Sequence, residues 1–313
     1  MRLVLGIDTS CYTTSVALLA EDGTLVADER RPLAVRPGGR GLAQSEMVYQ
    51  HTRNLPELFA TAAARAGGDL ALAAVAASVQ PRPLPESYMP AFLVGAGYAR
   101  VIAVAQAVPF LSLSHQEGHI LAGAWSAGGP DDNRFLAVHA SGGTTEITLV
   151  TRAGGGLQVE LLGGTSDIAA GQFVDRIGVA LGLPFPAGPG LEELASSVQD
   201  GPAALPVAAR GLAVSFAGPE TKARRLLAAG AAPAAVAAGV QACVADSLAR
   251  LCAAAVAASG ADVILFVGGV LANRFIRERL TAALAPAGVR TFFPAPRYSG
   301  DNAVGAACFA RGR

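Results

Sequence analysis

Val108-Pro109-Phe110-Leu111-Ser112-Leu113-Ser114-His115-Gln116-Glu117-Gly118-His119-Ile120 sits near the first third of the chain. Its apolar opening, Val108 to Leu111, reads as a strand. Leu121-Ala122-Gly123-Ala124-Trp125 carries on beyond Ile120 as a helix. A strand that passes directly into a helix with polar residues at the junction is how α/β proteins build sites at strand ends. His115 and His119 stand at i and i+4. On a helix they share one side, with roots about 6 Å apart, a spacing that suits one metal ion. The same spacing also suits one histidine capping the helix while the other packs against Trp125. The H-E-x-x-H order of zinc proteases is absent.

The α/β reading extends in both directions. Residues 3 to 10 form a buried-strand pattern, Thr13 to Ala20 alternates as a second strand, and a tight Cys11-Tyr12 corner lies between them. Glu21-Asp22-Gly23 signals a turn into a third strand from Thr24 to Arg30, which gives an antiparallel meander. Pro37-Gly38-Gly39-Arg40-Gly41 reads as a loop. A helix follows from about Ser45 to Ala66, then a strand at Leu72 to Val79, a helix at Met89 to Ala103 and a strand at Phe110 to Ser114. The pattern restarts with strands at Phe135 to Ala140, Thr145 to Thr151 and Leu157 to Leu162. Helices are expected at 168–181, 190–198, 219–229 and 233–259. A strand at Val263 to Val267, a helix at Leu271 to Leu284, a strand at Arg290 to Phe293 and a closing helix at Asn302 to Ala310 complete it. A β-β-β-α-β-α-β order that occurs once and then again with extra helices predicts two similar lobes with a cleft between them. The expected division is an N-terminal lobe at 1–108, closed by a helix at 302–313, and a C-terminal lobe at 109–301.

Composition narrows the classes. The 313 residues are 52% hydrophobic and 15% charged, with 24 basic and 24 acidic side chains, and Lys222 is the only lysine. A protein that binds nucleic acid unaided usually carries a basic excess, so any such substrate would need local arginine patches or partner proteins. The most apolar stretch, Leu226 to Ile264, is interrupted by Pro233, Gln241, Asp246 and Arg250, which argues against a membrane span. The opening Met1-Arg2-Leu3-Val4-Leu5-Gly6-Ile7-Asp8 reaches an acid early for a signal peptide. The expected compartment is the cytoplasm. Cys11, Cys243, Cys252 and Cys308 have no CxxC spacing and are expected to be reduced thiols.

Three turns offer backbone N–H groups to an anion. Asp8-Thr9-Ser10-Cys11-Tyr12-Thr13-Thr14 joins the first two strands of the first repeat. Ser141-Gly142-Gly143-Thr144-Thr145 joins the first two of the second, and Gly268-Gly269-Val270 links a strand to a helix. Glycines allow close approach, and helix N-termini favour negative charge. Neither a P-loop nor a G-x-G-x-x-G fingerprint is present.

These residues resemble the glycoprotease-like family whose members act as tRNA adenosine threonylcarbamoyltransferases, within the superfamily of actin, sugar kinases and heat-shock chaperone ATPases. His115-Gln116-Glu117-Gly118-His119 matches the family's H-x-E-G-H, and Ser141-Gly142-Gly143 its S-G-G-H-T turn. Asp167 to Arg176 is similar to D-D-A-A-G-E-A-F-D-K, and Ser215-Phe216-Ala217-Gly218 to S-F-S-G. Gly268-Gly269-Val270-Leu271-Ala272-Asn273 matches G-G-V-x-A-N, and Gly300-Asp301-Asn302-Ala303 T-D-N-G. The resemblance implies a two-lobe actin-like ATPase fold. It implies that His115, His119 and Asp301 ligate a divalent metal, iron or zinc. It implies that Ser141, Gly142, Gly143, Thr144, Gly268, Gly269 and Asn273 contact a nucleotide (ATP, AMP or an acyl-adenylate). Asp167, Gly171, Asp175 and Gly188 would hold its adenosine end, and Ser10, Tyr12 and Glu117 are the candidates for catalysis. The implied reaction is carbamoyl or threonylcarbamoyl transfer from an acyl-adenylate to an adenosine of the tRNA anticodon loop, where a base can be splayed out. A homologous actin-like partner subunit, or a second copy of the chain, is the implied protein partner.

The chain departs from the family's pattern around the substrate. Tyr12 stands where the family has aspartate in E-T-S-C-D, and Thr144 replaces the histidine after S-G-G. Gln172 replaces the glutamate of G-E, Glu220 occupies the place of a lysine with Lys222 two positions on, and Gln80 to Pro90 replaces a G-P-G-L loop. Tyr12 keeps a hydroxyl but loses the carboxylate charge. Pro81, Pro83 and Pro85 stiffen the loop, in which Arg82 is a candidate anion contact. A nucleotide-dependent carbamoyltransferase acting on a small molecule, and a non-catalytic scaffold, are the two alternative readings. A scaffold has no need of three retained ligands.

Overall fold

The computed structural model describes residues 2–10, 12–35, 42–199 and 201–312. The expected corner at Cys11 and the loop at 37–41 lie outside the described residues. The chain divides into two compact units, Met1–Ser126 with Ala153–Leu157 and Gly300–Arg313, and Ala127–Arg152 with Gln158–Ser299. The boundary expected at 108/109 falls instead at 126/127. His115 and His119 therefore belong to the first unit, together with Asp301.

In the first unit, strands β1 (Leu3–Asp8), β2 (Thr13–Ala20) and β3 (Leu25–Pro32) precede helix α1 (Gln44–Arg65). Strand β4 (Leu72–Gln80), helix α2 (Phe92–Ala105), strand β5 (Phe110–Ser114) and helix α3 (His115–Ala127) follow. The sheet order is β3-β2-β1-β4-β5. β1 is antiparallel to β2, β2 is antiparallel to β3, and β1 is parallel to β4. Every residue of β1 is buried. A central strand covered on both faces is continuously apolar rather than alternating. α1 lays Leu55, Leu58 and Ala62 on the sheet, spaced for one helical face, while Met47 packs with Leu33 and Ala91. The edge strand β3 carries Asp28, Glu29, Arg30 and Arg31, charges that discourage pairing with another sheet. α2 starts at Phe92, three residues later than its spacing suggested, because Pro90 disfavours a helical Met89.

The second unit repeats the plan with β6 (Arg134–Ala140), β7 (Thr145–Ala153) and β8 (Gly156–Thr165). Helices α4 (Ala170–Ala180) and α5 (Gly188–Ser196), the two-residue strands β9 (Ala209–Arg210) and β10 (Ala213–Val214), and helices α6 (Ala217–Ala228) and α7 (Pro233–Ser259) come next. Strand β11 (Val263–Val267), helix α8 (Arg274–Leu284) and strand β12 (Arg290–Phe292) complete it, and α9 (Val304–Arg311) returns to the first unit. The sheet order is β12-β11-β6-β7-β8-β10-β9. Its run β8-β7-β6-β11-β12 has the order of the first sheet, so the repeat legible in the sequence is a repeat of topology. β9 and β10 are too short to leave a period in the sequence.

α7 spans the positions expected to interrupt an apolar run, and by length and composition alone it could cross a membrane. In the fold it is a core helix. Val240, Val244, Leu248, Leu251 and Ala255 are buried in the main cluster of the second unit with Phe173, Phe216 and Phe266. Pro233 opens it, and Gly260, at φ 70°, closes it in the left-handed conformation that glycine adopts without cost. The helix expected at Leu271 is delayed. Gly269–Ala272 forms a 3-10 turn, and α8 begins only after Asn273, whose Oδ1 accepts the N–H of Ile276 at 2.9 Å. Cys243, Cys252 and Cys308 are free, and burial pushes the Cys243 thiol up to about 11, so these are inert apolar fillers.

Candidate metal centre and nucleotide turns

The turn from β5 to α3 is fixed by local hydrogen bonds. The Ser114 hydroxyl accepts the N–H of Glu117 at 3.2 Å, and Glu117 Oε2 accepts the Ser114 N–H and O–H, each at 2.7 Å. This is a reciprocal capping box, S-x-x-E, that starts the helix at His115. Glu117, a candidate for catalysis from sequence, thus commits an oxygen to the helix start, and its retention has a structural cause. The cap leaves His115 and His119 one turn apart on the same side.

The two imidazoles meet a carboxylate delivered from the other end of the chain. His115 Nε2 and His119 Nε2 lie 2.9 Å apart, and Asp301 Oδ1 is 3.5 Å from the first and 3.3 Å from the second. An ion about 2.0–2.2 Å from each donor, with bonds at roughly 90–110°, needs donors about 2.9–3.5 Å apart. The triangle fits such an ion. Asp301 is brought there by α9, which crosses α3 and β1 at glycines. A Cβ on Gly305 would lie 1.8 Å from the Gly118 carbonyl oxygen, and one on Gly6 2.3 Å from that of Ala303. Only backbone fits at either crossing.

Asp8 sets the tautomer. Its Oδ2 accepts the Nδ1 proton of His115 at 2.9 Å, and its Oδ1 accepts the Ser10 N–H at 2.8 Å. With Nδ1 protonated, the lone pair of His115 is on Nε2 and faces the triangle, the usual outer-shell arrangement of a histidine ligand. Burial works against charge on His115, but the Asp8 and Asp301 carboxylates overcome it and hold its pKa well above the ordinary value. Burial also raises Asp301, yet hydrogen bonds from both histidines bring it well below the usual carboxylate range. Two nitrogens and a carboxylate held this way call for positive charge between them. Among the described residues, His115, His119 and Asp301 are the one such group of potential ligands.

Other sequence candidates of the first unit are less engaged. Ser10 is fully buried, and its hydroxyl has no hydrogen-bond partner. Tyr12 is 43% exposed. The Pro81 carbonyl accepts the Gln116 N–H at 3.1 Å, which ties the proline-rich segment to the first turn of α3. Asp8 was missed as a site residue because its partner lies 107 positions away and no local pattern announces it.

In the second unit two of the predicted turns come together with the start of α4. The Ser141–Thr144 turn closes on itself, the Ser141 N–H donating to the Thr144 carbonyl at 2.8 Å and the Thr144 N–H to Ser141 Oγ at 3.1 Å. The first residues of α4 are seated on it. Gly171 N–H donates to the Ser141 carbonyl at 3.1 Å, and a Cβ on Gly171 would come within 2.5 Å of the same oxygen. Gly268 abuts the end of β6, where a Cβ would stand 2.3 Å from the Ala140 carbonyl oxygen. Gly142, Gly143 and Gly269 face open space. Ser141, Gly142, Gly143, Thr144, Gly171, Gly268 and Gly269 therefore form one glycine-lined patch beside a helix N-terminus, suited to phosphate oxygens.

The remaining candidates do other work. Asp167 accepts N–H groups from Ile168 and Phe216 and the hydroxyl of Ser215, so it pins the start of α6. These bonds outweigh the upward pull of partial burial and lower its pKa. Asp175 accepts the Ala187 N–H at 2.8 Å, next to Gly188, and burial raises its pKa. Glu220 bridges Arg176 and Arg224 at 3.1 and 2.9 Å. Asn273 caps α8, and its Nδ2 reaches Gln241 Oε1 at 3.3 Å. Gln241 helps to line a cavity of about 530 Å³ between α5, α7 and α8, with Glu192, Arg274, Phe275 and Glu278. Sequence reasoning missed this cavity because its walls come from three separate helices.

The family described as TsaD, tRNA N6-adenosine threonylcarbamoyltransferase, matches residues 34–308. A tRNA N6-adenosine threonylcarbamoyltransferase of Thermus thermophilus is 37% identical over 304 residues, which span 96% of this chain and 89% of the relative. Among solved structures, component A of the (R)-2-hydroxyglutaryl-CoA dehydratase of Acidaminococcus fermentans superposes with a TM-score of 0.56 at 16% identity, covering 99% of this chain and 98% of that one. A ROK family glucokinase from Streptomyces griseus, solved with glucose and AMPPNP, gives 0.52 at 11% identity, covering 99% of each. These two likenesses establish the fold as that of the actin-like ATPases and sugar kinases, the class expected from sequence.

Proposed function

The chain belongs to the tRNA N6-adenosine threonylcarbamoyltransferase family, and on that premise we propose that it is an enzyme transferring a threonylcarbamoyl group from an acyl-adenylate to an adenosine of the tRNA anticodon loop. The observation that carries the reading is the convergence of His115, His119 and Asp301 with the tautomer of His115 set by Asp8. A scaffold would have no use for a donor triangle of metal dimensions backed by a buried outer-shell carboxylate.

A divalent ion held by the three side chains, zinc or iron, would supply a Lewis acid for an oxygen of the acyl group. The protein's own residues do the rest. The turns Ser141–Thr144 and Gly268–Gly269 would bind the phosphate through backbone N–H groups, where negative charge collects as AMP leaves. Asp175 and Gly188 would hold the adenosine end, with the base directed to the cavity lined by Gln241 and Phe275. Asn273 would act there through its cap, which fixes the wall of that cavity. Ser10, with its unpartnered buried hydroxyl, is the better placed of the catalytic candidates, and Tyr12 would contact the acceptor from the exposed rim.

The neutral charge of the chain supports a role for a partner subunit in drawing tRNA, since 24 basic side chains are matched by 24 acidic ones. The reading puts the protein in the cytoplasm, with its tRNA substrate. The test is incorporation of labelled threonine into tRNA from threonylcarbamoyl-adenylate, with release of AMP measured alongside. Label in the anticodon loop supports the proposal. AMP release that ignores tRNA would favour the small-molecule acceptor, and neither product would leave the scaffold.

A further inference from the structure

Helix α6 turns a uniformly cationic side to solvent. Its buried positions are Pro219, Glu220 and Ala223, and Leu226 and Leu227 pack against the core of the second unit. By the helical period the opposite side holds Gly218, Thr221, Lys222, Arg224 and Arg225, all of them exposed. The one acid of the helix, Glu220, is turned inward. It is shared by Arg224 of the same helix at 2.9 Å and Arg176 of α4 at 3.1 Å. One carboxylate cannot balance two guanidinium groups, so this bridge joins Arg176 to the cationic side with positive charge to spare. Asp167, at the start of the helix, is occupied by the bonds it accepts from Ser215 and Phe216. Among the described residues, Lys222 and Arg225 pair with no carboxylate.

Local structure accounts for part of this. Arg225 stands in the last turn, where the helix dipole favours a cation. Lys222 has no such support. It lies mid-helix, is the single lysine of the chain, and stands one turn from Arg225, so the two like charges repel. In a chain whose 24 basic and 24 acidic side chains cancel, such a local excess calls for an anionic partner. What the face lacks says which kind. Its remaining exposed residues, Ala217, Gly218 and Thr221, give no apolar anchor of the sort that holds a protein interface together. A phosphate backbone needs none, because cations and hydroxyls supply its contacts. We propose that the exposed face of α6, with Lys222, Arg224 and Arg225 and with Arg176 beside it, binds the phosphate backbone of tRNA. This rests on the proposed function, and it gives the chain its own share in holding RNA alongside that of a partner subunit. Contacts to phosphate position the tRNA without reading its sequence.

The test is the Kd for fluorescently labelled tRNA, measured by anisotropy between about 50 and 200 mM KCl. Each phosphate contact contributes about 0.7–0.9 to the slope of log affinity against log salt. Lys222→Ala with Arg225→Ala lowers that slope by about 1.5–2 and weakens binding about 10-fold at the lowest salt, with AMP binding and bound metal as in the wild type. Lys222→Arg with Arg225→Lys conserves the charge and keeps both affinity and slope, which separates charge from any effect on folding. An alanine variant with the wild-type slope and affinity overturns the assignment, and the face is then left to an acidic protein or to solvent. A charge-conserving variant that loses as much as the alanine variant also overturns it. Wild-type protein that binds no tRNA overturns the functional reading and this inference with it. Wild-type protein that binds tRNA through this face, with the slope change above, but transfers no threonylcarbamoyl group to it overturns the functional reading and supports the face.

Discussion

The carboxylate of Asp8 decides which nitrogen of His115 is free to act as a ligand. It has two demands to meet, the Ser10 N–H on one oxygen and the His115 Nδ1–H on the other. Asparagine has one carbonyl oxygen and can meet only one of them. If its amide turns to His115, Nδ1 must accept and the proton moves to Nε2, where the lone pair is needed. Asp8→Asn is therefore expected to lower zinc affinity about 10- to 100-fold in a competition titration with a chelator. His51 gives a second prediction. Burial lowers its pKa to about 4 against the partial opposition of Asp8 and Asp301. The unfolded chain takes up the proton near 6.5, the folded chain only near 4. Stability from this group is thus full above pH 6.5 and is lost as pH falls toward 4, by about 3 kcal/mol in all. The stability difference between wild type and His51→Gln in urea unfolding should change with pH across that window and become constant above it. At this scale the sequence was legible where spacing is local, as for His115 and His119. Asp301 entered only through the family resemblance, and Asp8 and His51 not at all, because their partners are set by the packing of α1, α3 and β1.

Elements position these residues through close backbone approaches. α9 reaches the metal corner because Gly305 meets the Gly118 carbonyl and Gly6 meets that of Ala303. Gly305→Ala forces the helices apart and should cost about 1–3 kcal/mol of stability, with weaker metal binding as Asp301 moves away, both measurable on the purified protein. In the second unit Gly171→Ala pushes the Ser141 carbonyl from the start of α4. Weaker AMP binding by calorimetry with unchanged metal content is the expected outcome. If AMP binds as before, the glycine patch is not the phosphate site. Most elements were legible because they are long and strongly periodic, α7 and β11 to the residue. The starts of α2, α4 and α8 were displaced by specific chemistry: Pro90, the extended Ala169 and the Asn273 cap. The capping box Ser114-x-x-Glu117 is legible in the sequence and accounts for Glu117 by local structure.

At the scale of the molecule, the repeat of strand order makes each unit an independent frame for part of the chemistry. The first carries the metal triangle, and the second carries the glycine turns and the cavity beside Asn273. The duplication was legible as a repeated element order. The unit boundary was not, since α3 has no linker before it and is assigned by what it packs against. The three candidate ligands His115, His119 and Asp301 are all present, whereas Tyr12, Thr144 and the Gln80–Pro90 segment depart from the family's pattern. The central claim is that His115, His119 and Asp301 bind one divalent ion on which acyl transfer depends. The most direct measurement is metal stoichiometry by mass spectrometry, paired with AMP release from threonylcarbamoyl-adenylate, for the wild type and for His115→Ala with His119→Ala. The account predicts one ion per chain and AMP release in the wild type, with both lost in the double variant while the fold persists. A wild type that turns over the adenylate without metal, or a double variant that keeps its ion and its activity, would contradict it.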